Sequence, residues 1–188
     1  DGNVPESIEE SHINRTIFNK DTIKKALQIL LKQGLYINEG NSLGKTIIFA
    51  RNHKHAVLIL EIFRKTFPNL LDYCLLIDNH VEYHSSLVHQ FATGQHKARI
   101  AISVDMLDTG VDIPDCLNLV FFKPVKSYSK FIQMIGRGTR LWQNPVNGEK
   151  KTHFLIFDLC NNFEYFGEEE NRRDNDSSPK SIMAKLFE

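Results

Sequence analysis

Cysteine is scarce in this sequence. Its 188 residues include three, Cys74, Cys116 and Cys160, set far apart and without a Cys-x-x-Cys or Cys/His ligand spacing. That excludes a disulfide framework and a zinc site of ordinary spacing, and it fits reduced thiols in a cytoplasmic protein. Cys74 and Cys160 sit inside apolar runs and are expected in the core. Net charge is also missing, because 23 Lys and Arg balance 23 Asp and Glu. A global electrostatic bias toward nucleic acid is thereby excluded, although a local basic patch is not. No apolar run approaches the ~20 residues of a membrane span, and no secretory leader pattern opens the chain. No membrane partner is expected. The sequence begins at Asp1 rather than methionine and reads as a piece of a larger protein.

What is present is enough for one α/β domain with a real core. Residues 1–20 are polar and irregular. From Asp21 to Gln33 the apolar positions Ile23, Ala26, Leu27, Leu30 and Leu31 repeat at helical spacing, and Gly34 is a plausible stop. Residues 38–44 read as a loop. Short apolar strands then alternate with amphipathic helices. Strands are expected at Thr46–Ala50, Tyr73–Ile77, Arg99–Val104, Leu117–Phe122 and Phe154–Leu159. Helices are expected around Ala56–Phe67 and Leu87–Phe91, and after Ser127. This alternation implies a mainly parallel open sheet with helices on both faces. Ligands in such sheets bind beyond the carboxyl ends of the strands, so the loops after 50, 104, 122 and 135 are the informative ones.

The chain divides on this reading into a lead segment with one helix (1–44), the α/β lobe (45–160) and a polar tail (161–188). Residues 168–180 are charged and lack apolar side chains, as a linker would. Ile182, Met183, Leu186 and Phe187 follow and could start a helix that packs on a further domain.

Residues 40–46, Gly-Asn-Ser-Leu-Gly-Lys-Thr, imitate a phosphate-binding loop but are one residue short between the glycines. They also open a strand where the motif must open a helix. Lys45 and Thr46 are therefore expected to begin the core strand.

Three constellations carry chemistry. The first is Gln133-Met-Ile-Gly136-Arg137-Gly138-Thr139-Arg140. If the helix continues, Gln133, Arg137 and Arg140 share one face. Two guanidiniums and an amide on one side make a clamp for phosphate oxygens. Spacing alone fits a solvated basic turn equally well. The second is Val104-Asp105 through Gly110-Val111-Asp112-Ile113-Pro114, which by itself could be an ordinary turn stabilised by Asp caps. Gly110 permits close backbone approach. The third is Thr46 to Ala56, a strand leading into a helix. There Asn52 could cap the helix and leave its amides for a backbone phosphate. Arg51, Asn52 and His55 are the candidate phosphate or sugar contacts, and His53 is expected on the helix surface.

The three segments, in this order, resemble motifs VI, V and IV of the superfamily 2 helicases over roughly residues 45–142. The resemblance implies the second RecA-like lobe, an α/β three-layer sandwich. It casts Arg137 and Arg140 as arginine fingers toward ATP and Gln133 as a γ-phosphate or water contact. Such a finger is worth about 10³–10⁵ in rate elsewhere. Gly110, Asp112 and Gly136 fall on the nucleotide side, with Asp112 accepting a ribose hydroxyl or orienting a finger. Arg51, Asn52, His55 and Asp105 fall on the nucleic-acid side. Thr109 stands where the family often has arginine, which points away from the DEAD-box RNA helicases.

The wording is similar to the R (motor) subunits of type I restriction enzymes. That resemblance implies a larger ATP- and Mg²⁺-dependent translocase on double-stranded DNA, with specificity and methylation subunits as partners. The first RecA-like lobe of the same polypeptide would hold the true phosphate loop and the Mg²⁺-binding acid, so this chain alone should be inactive. No paired-acid-plus-lysine nuclease site is evident. Two other readings stay open: the lobe of an RNA or repair helicase, and a non-catalytic binding module on the same fold.

Overall fold

The computed structural model describes residues 15–78, 84–105, 107 and 112–167. The apolar cluster at 182–187 and Gly110 lie outside this set.

After a helical turn at 15–17 comes helix α1 (Lys20–Gln33). Asn19 caps it, its side-chain oxygen accepting from the Asp21 and Thr22 amides at 2.9 and 3.1 Å. Gly34 ends the helix because a Cβ there would lie 2.6 Å from the Leu30 carbonyl oxygen. Part of the loop expected over 38–44 is instead ordered, as β1 (Tyr36–Ile37) pairs antiparallel with β2 (Ser42–Leu43). Leu43 anchors this small ladder. Its side chain is fully buried and its amide donates to the Tyr73 hydroxyl at 2.9 Å.

The alternation read from sequence then appears: β3 (Lys45–Ala50), α2 (His53–Thr66), a 3₁₀ segment (Pro68–Tyr73), β4 (Cys74–Ile77), α3 (His84–Thr93), β5 (Ile100–Ser103), β6 (Cys116–Phe122), α4 (Tyr128–Ile135) and β7 (Leu155–Asp158). A helical segment at 162–167 closes the described chain. The five strands β3 to β7 form one parallel sheet in the order β4-β5-β3-β6-β7. Strand β3 lies at its centre.

Successive strand residues feed opposite faces, as the period of two requires. Ile48, Ala50, Ile100, Ile102, Val120 and Phe122 pack with α1 and α2. Ile47, Phe49, Ala101, Leu119 and Phe121 pack with α3, α4 and Phe166. Helices on both faces explain why the strands read as unbroken apolar runs. The three cysteines are all buried and unpaired, and burial pushes the Cys116 and Cys160 thiols up to about 12.

Packing runs across both divisions drawn from the sequence. Ile17, Ile23, Leu27 and Leu30 of the lead segment belong to one core, and Phe166 beyond residue 160 belongs to the other. Among the described residues, the apolar stripe of the lead helix packs on this lobe.

Lys45 and Thr46 do begin the central strand. The Lys45 ammonium is 2% exposed. It meets Asp115 Oδ1 at 3.0 Å and donates to the Ala92 carbonyl at 2.9 Å. A phosphate-loop lysine has to stay available for a ligand, and this one is consumed inside the fold. Among the described residues, no helix is long and apolar enough to cross a membrane.

Candidate functional site

Parallel strands bring all their carboxyl ends to one edge. Strands β3 and β6 are neighbours, so the residues just past their ends, Arg51 and Lys123, emerge side by side. Together with Pro124, Val125, Lys126, Ser127 and Lys130 they line a cleft of about 390 Å³. The floor is pinned. Buried Asn162 accepts from the Val125 amide at 2.7 Å and donates to the Lys123 carbonyl at 3.2 Å. Ser127 caps α4, accepting from the Lys130 amide at 3.4 Å.

Asp105, two residues past β5, accepts from both the Lys123 and the Lys130 ammonium at 2.8 Å. Its backbone is left-handed, at φ 57°, a conformation uncommon for a residue with a side chain. Partial burial disfavours its charge, but the hydrogen bonds and charges of the two lysines outweigh that and hold the carboxyl well below the usual carboxylate range. The structure pairs Asp105 with two lysines while its side chain stays 58% exposed.

The Gln133–Arg140 segment lies at the other edge. Helix α4 runs back across the sheet and stops at Ile135. The chain then tightens into three-residue turns, with the Arg137 and Gly138 amides donating to the Met134 and Ile135 carbonyls at 3.2 and 2.9 Å. Gly136 keeps right-handed geometry at φ −55°. The helix does not continue through Arg140, so that arginine does not share a helical face with Gln133. A contact across the chain places it instead, its Nε lying 3.1 Å from Asp112 Oδ1. Gly138 packs directly on the Phe154 ring at the start of β7, and a Cβ on it would run into that ring. Lys151 donates to the Pro114 and Cys116 carbonyls at the start of β6, at 3.2 and 2.7 Å.

This location corrects the sequence reading, which put every motif at the carboxyl edge. The second constellation instead descends from the carboxyl end of β5 to the amino end of β6. It thereby carries Asp112 to the arginines at the amino edge. The eight residues of α4 separate the two clusters by about 12 Å, at 1.5 Å rise per residue.

Along the third constellation, Asn52 caps α2 as expected, its side-chain oxygen accepting from the His55 amide at 2.9 Å. His53 is half-exposed and meets buried Asp78 at 2.6 Å. His55 departs from its expected role. It is fully buried, its ring 4.6 Å from that of Phe18 and 5.5 Å from that of Phe122, centroid to centroid. Its Nε2–H donates to the Ile17 carbonyl at 2.9 Å, and its Nδ1 accepts from the Arg51 amide at 3.3 Å. Burial brings its pKa down to about 4. Helical spacing turned this residue inward, so it supports Arg51 from beneath and presents no edge to a ligand.

Lys123, Lys126 and Lys130 were missed as candidates in the sequence. Their signal was a pair of lysines in the loop after β6, a loop already marked as informative, with a third on the first turn of α4.

The motif-bearing segments thus sit on a RecA-like lobe in sequence order, and the model of the helicase conserved C-terminal domain matches residues 22–141. This chain belongs to that family. It is 38% identical over 122 residues to the type I restriction enzyme EcoKI endonuclease subunit of Escherichia coli K12, covering 61% of this chain and 10% of that protein. It is 28% identical over 157 residues to the EcoAI endonuclease subunit of Escherichia coli, covering 79% of this chain and 18% of that protein. The helicase lobe therefore spans less than a fifth of these relatives' length. Among solved structures it is similar to a fragment described as an HsdR subunit of a type I restriction enzyme from Vibrio vulnificus. That match has a TM-score of 0.68 at 25% identity and covers 83% of this chain and 30% of the other. The yeast protein Dbp5 bound to RNA and ADP BeF3 shares the fold, with a TM-score of 0.56 at 16% identity over 80% of this chain and 36% of Dbp5.

Proposed function

We propose that this chain is the second motor lobe of an ATP-driven translocase on double-stranded DNA, of the kind found in type I restriction enzymes. The observation that carries this reading is the Arg140–Asp112 pair, which joins two distant motif segments at one edge of the sheet. Both side chains are largely exposed, at 63% and 65%. Such a pair is worth about 0–1 kcal/mol, so Arg140 is oriented without being locked. A guanidinium held this lightly can move to a phosphate that offers it two oxygens.

The donor set fits the nucleotide. Arg137 and Arg140 suit the triphosphate, Gln133 suits the γ-phosphate or the attacking water, and Asp112 suits a ribose hydroxyl. Gly136 adds no side chain near it. ATP with its Mg²⁺, held mainly by the first RecA-like lobe, supplies the phosphoryl group passed to water. The residues of this chain stabilise the charge that develops on that group, the task of an arginine finger. Release of Arg140 from Asp112 on closure, and its return on opening, couples the cleft between lobes to movement along DNA. Arg51 and Asn52 stand at the opposite edge, where contacts to backbone phosphates position the lobe without reading sequence. Specificity and methylation subunits complete the assembly, and the cytoplasm is its compartment.

The test is ATP hydrolysis by the full-length parent, with and without duplex DNA, comparing wild type with Arg140→Ala. A DNA-stimulated rate is expected to drop by about 10³ or more in the variant, with ATP binding retained. An unchanged rate would remove the finger assignment. Stimulation by RNA in place of DNA would assign the lobe to an RNA helicase.

A further inference from the structure

Arg140 and Asp112 meet through exposed side chains, and a pair of that kind is too weak to hold its own two segments together. A stronger tie lies two residues further along each segment. Lys151 is bound to the first through its main chain, its amide donating to the Trp142 carbonyl at 2.9 Å, two residues past Arg140. It is bound to the second through its side chain, its ammonium donating to the Pro114 carbonyl at 3.2 Å, two residues past Asp112, and to the Cys116 carbonyl at 2.7 Å. One residue thus spans both partners of the ion pair at equal remove along the chain. The bridge is built at each end. Gln143 bridges Lys150 antiparallel. Buried Asn144 closes the turn between them, its amide donating to the Glu149 carbonyl at 2.7 Å and its carbonyl accepting from the Gly148 amide at 2.8 Å. This hairpin continues directly from the arginine segment, so Lys151 is carried with that segment. At the far end, Lys45 holds Asp115 to the central strand. Strand β7 pairs with β6 from Asn118 onward, and the Lys151 ammonium takes up the chain ahead of that point. It also stands 5.9 Å from the centre of the Phe154 ring, on which Gly138 packs. Burial pulls the Lys151 pKa down, a desolvation cost that a fully solvated lysine does not carry.

We infer that Lys151 is a positioning residue for phosphoryl transfer. By tying the Pro114–Cys116 turn to the arginine segment, it sets where Asp112 stands and so the direction in which Arg140 is presented to the triphosphate. This rests on the reading of Arg140 as an arginine finger. Lys151 acts through Asp112 and Arg140 rather than on the nucleotide. A reacting group displaced by about 1 Å can lose on the order of 10² in rate, so a tie that fixes the segment bearing Asp112 acts on kcat.

The experiment measures DNA-stimulated ATP hydrolysis by the full-length parent as wild type, Lys151→Met, Arg140→Ala and the double variant, with Lys151→Arg alongside. Methionine keeps an unbranched apolar stem but cannot donate. Lys151→Met is expected to lower kcat by about ten- to a hundredfold, with KM for ATP within about twofold of wild type. Lys151→Arg, which keeps donors at the end of the stem, should recover most of the rate. In the Arg140→Ala background, Lys151→Met should cost nothing further, because residues that act through one interaction are not additive. The same proportional loss in both backgrounds would make Lys151 a structural residue and overturn the inference. So would a wild-type kcat in Lys151→Met. Either result leaves the finger reading in place where Arg140→Ala alone abolishes the stimulated rate. An unchanged rate in Arg140→Ala overturns both. Thermal unfolding of each variant accompanies the kinetics. Should Lys151→Met fail to fold, Lys151→Gln, whose shorter amide cannot span both carbonyls, replaces it under the same expectations.

Discussion

His55 has no exposed surface, and its Nδ1 can accept from the Arg51 amide only while the ring is neutral. Its pKa is about 4 in the folded chain against an ordinary 6.5. Below pH 6.5 the unfolded chain takes up a proton that the folded chain refuses. The stabilisation is therefore complete above pH 6.5 and is lost as the pH falls toward 4. The size of the loss is on the order of 3 kcal/mol. Urea midpoints measured from pH 7.5 to 4 should show this decline, and His55→Gln should be less stable at neutral pH but flatter through the acid range. An equally steep decline in the variant would assign the titration to another group. Arg140 belongs to the opposite regime. It is exposed and weakly paired, so its replacement should leave stability nearly unchanged while activity collapses.

At the scale of elements, α4 depends on the turn at its carboxyl end. That turn, at 136–138, closes only because Gly138 lets the chain lie against Phe154. Gly138→Ala is expected to cost about 1–3 kcal/mol through overpacking. Thermal unfolding of the single variant and of Gly138→Ala/Phe154→Leu is the check. The smaller side chain at 154 should return part of the loss, and strict additivity would show that the two residues do not press on each other. Helix α1 shows the same dependence from its other side. Its exposed face is rich in lysine, but Ile23, Leu27 and Leu30 join the core beneath β3. Sequence periodicity located this helix correctly, but it could not show which lobe the buried stripe would cover.

At the scale of the molecule, the proposed function makes this lobe one half of a composite site. On that proposal the arginines are here, while the imitation of a phosphate loop commits its lysine, Lys45, to Asp115. The chain on its own is expected to show no ATP hydrolysis above background in a phosphate-release assay, with or without DNA. Combining it with a separately produced first lobe should restore DNA-dependent release. Sustained turnover by the chain alone, lost in Lys45→Ala, would reverse this reading.

The sequence by itself determined the five strands, the helices between them, the capping residues Asn52 and Ser127, and the family. Each of these depends on local patterning: apolar runs bounded by turns, or a motif of fixed spacing. Tertiary structure decided where the motifs meet. Parallel strands placed Arg51 beside Lys123 although they lie far apart in the chain. The return of α4 carried the arginines to the opposite edge, and the descent of the β5–β6 connection brought Asp112 to Arg140. His55 was turned inward because the faces of α2 are set by the elements that cover them. Spacing reports which side chains share an element, but contact between elements depends on strand order and helix direction, which no single segment of the sequence encodes.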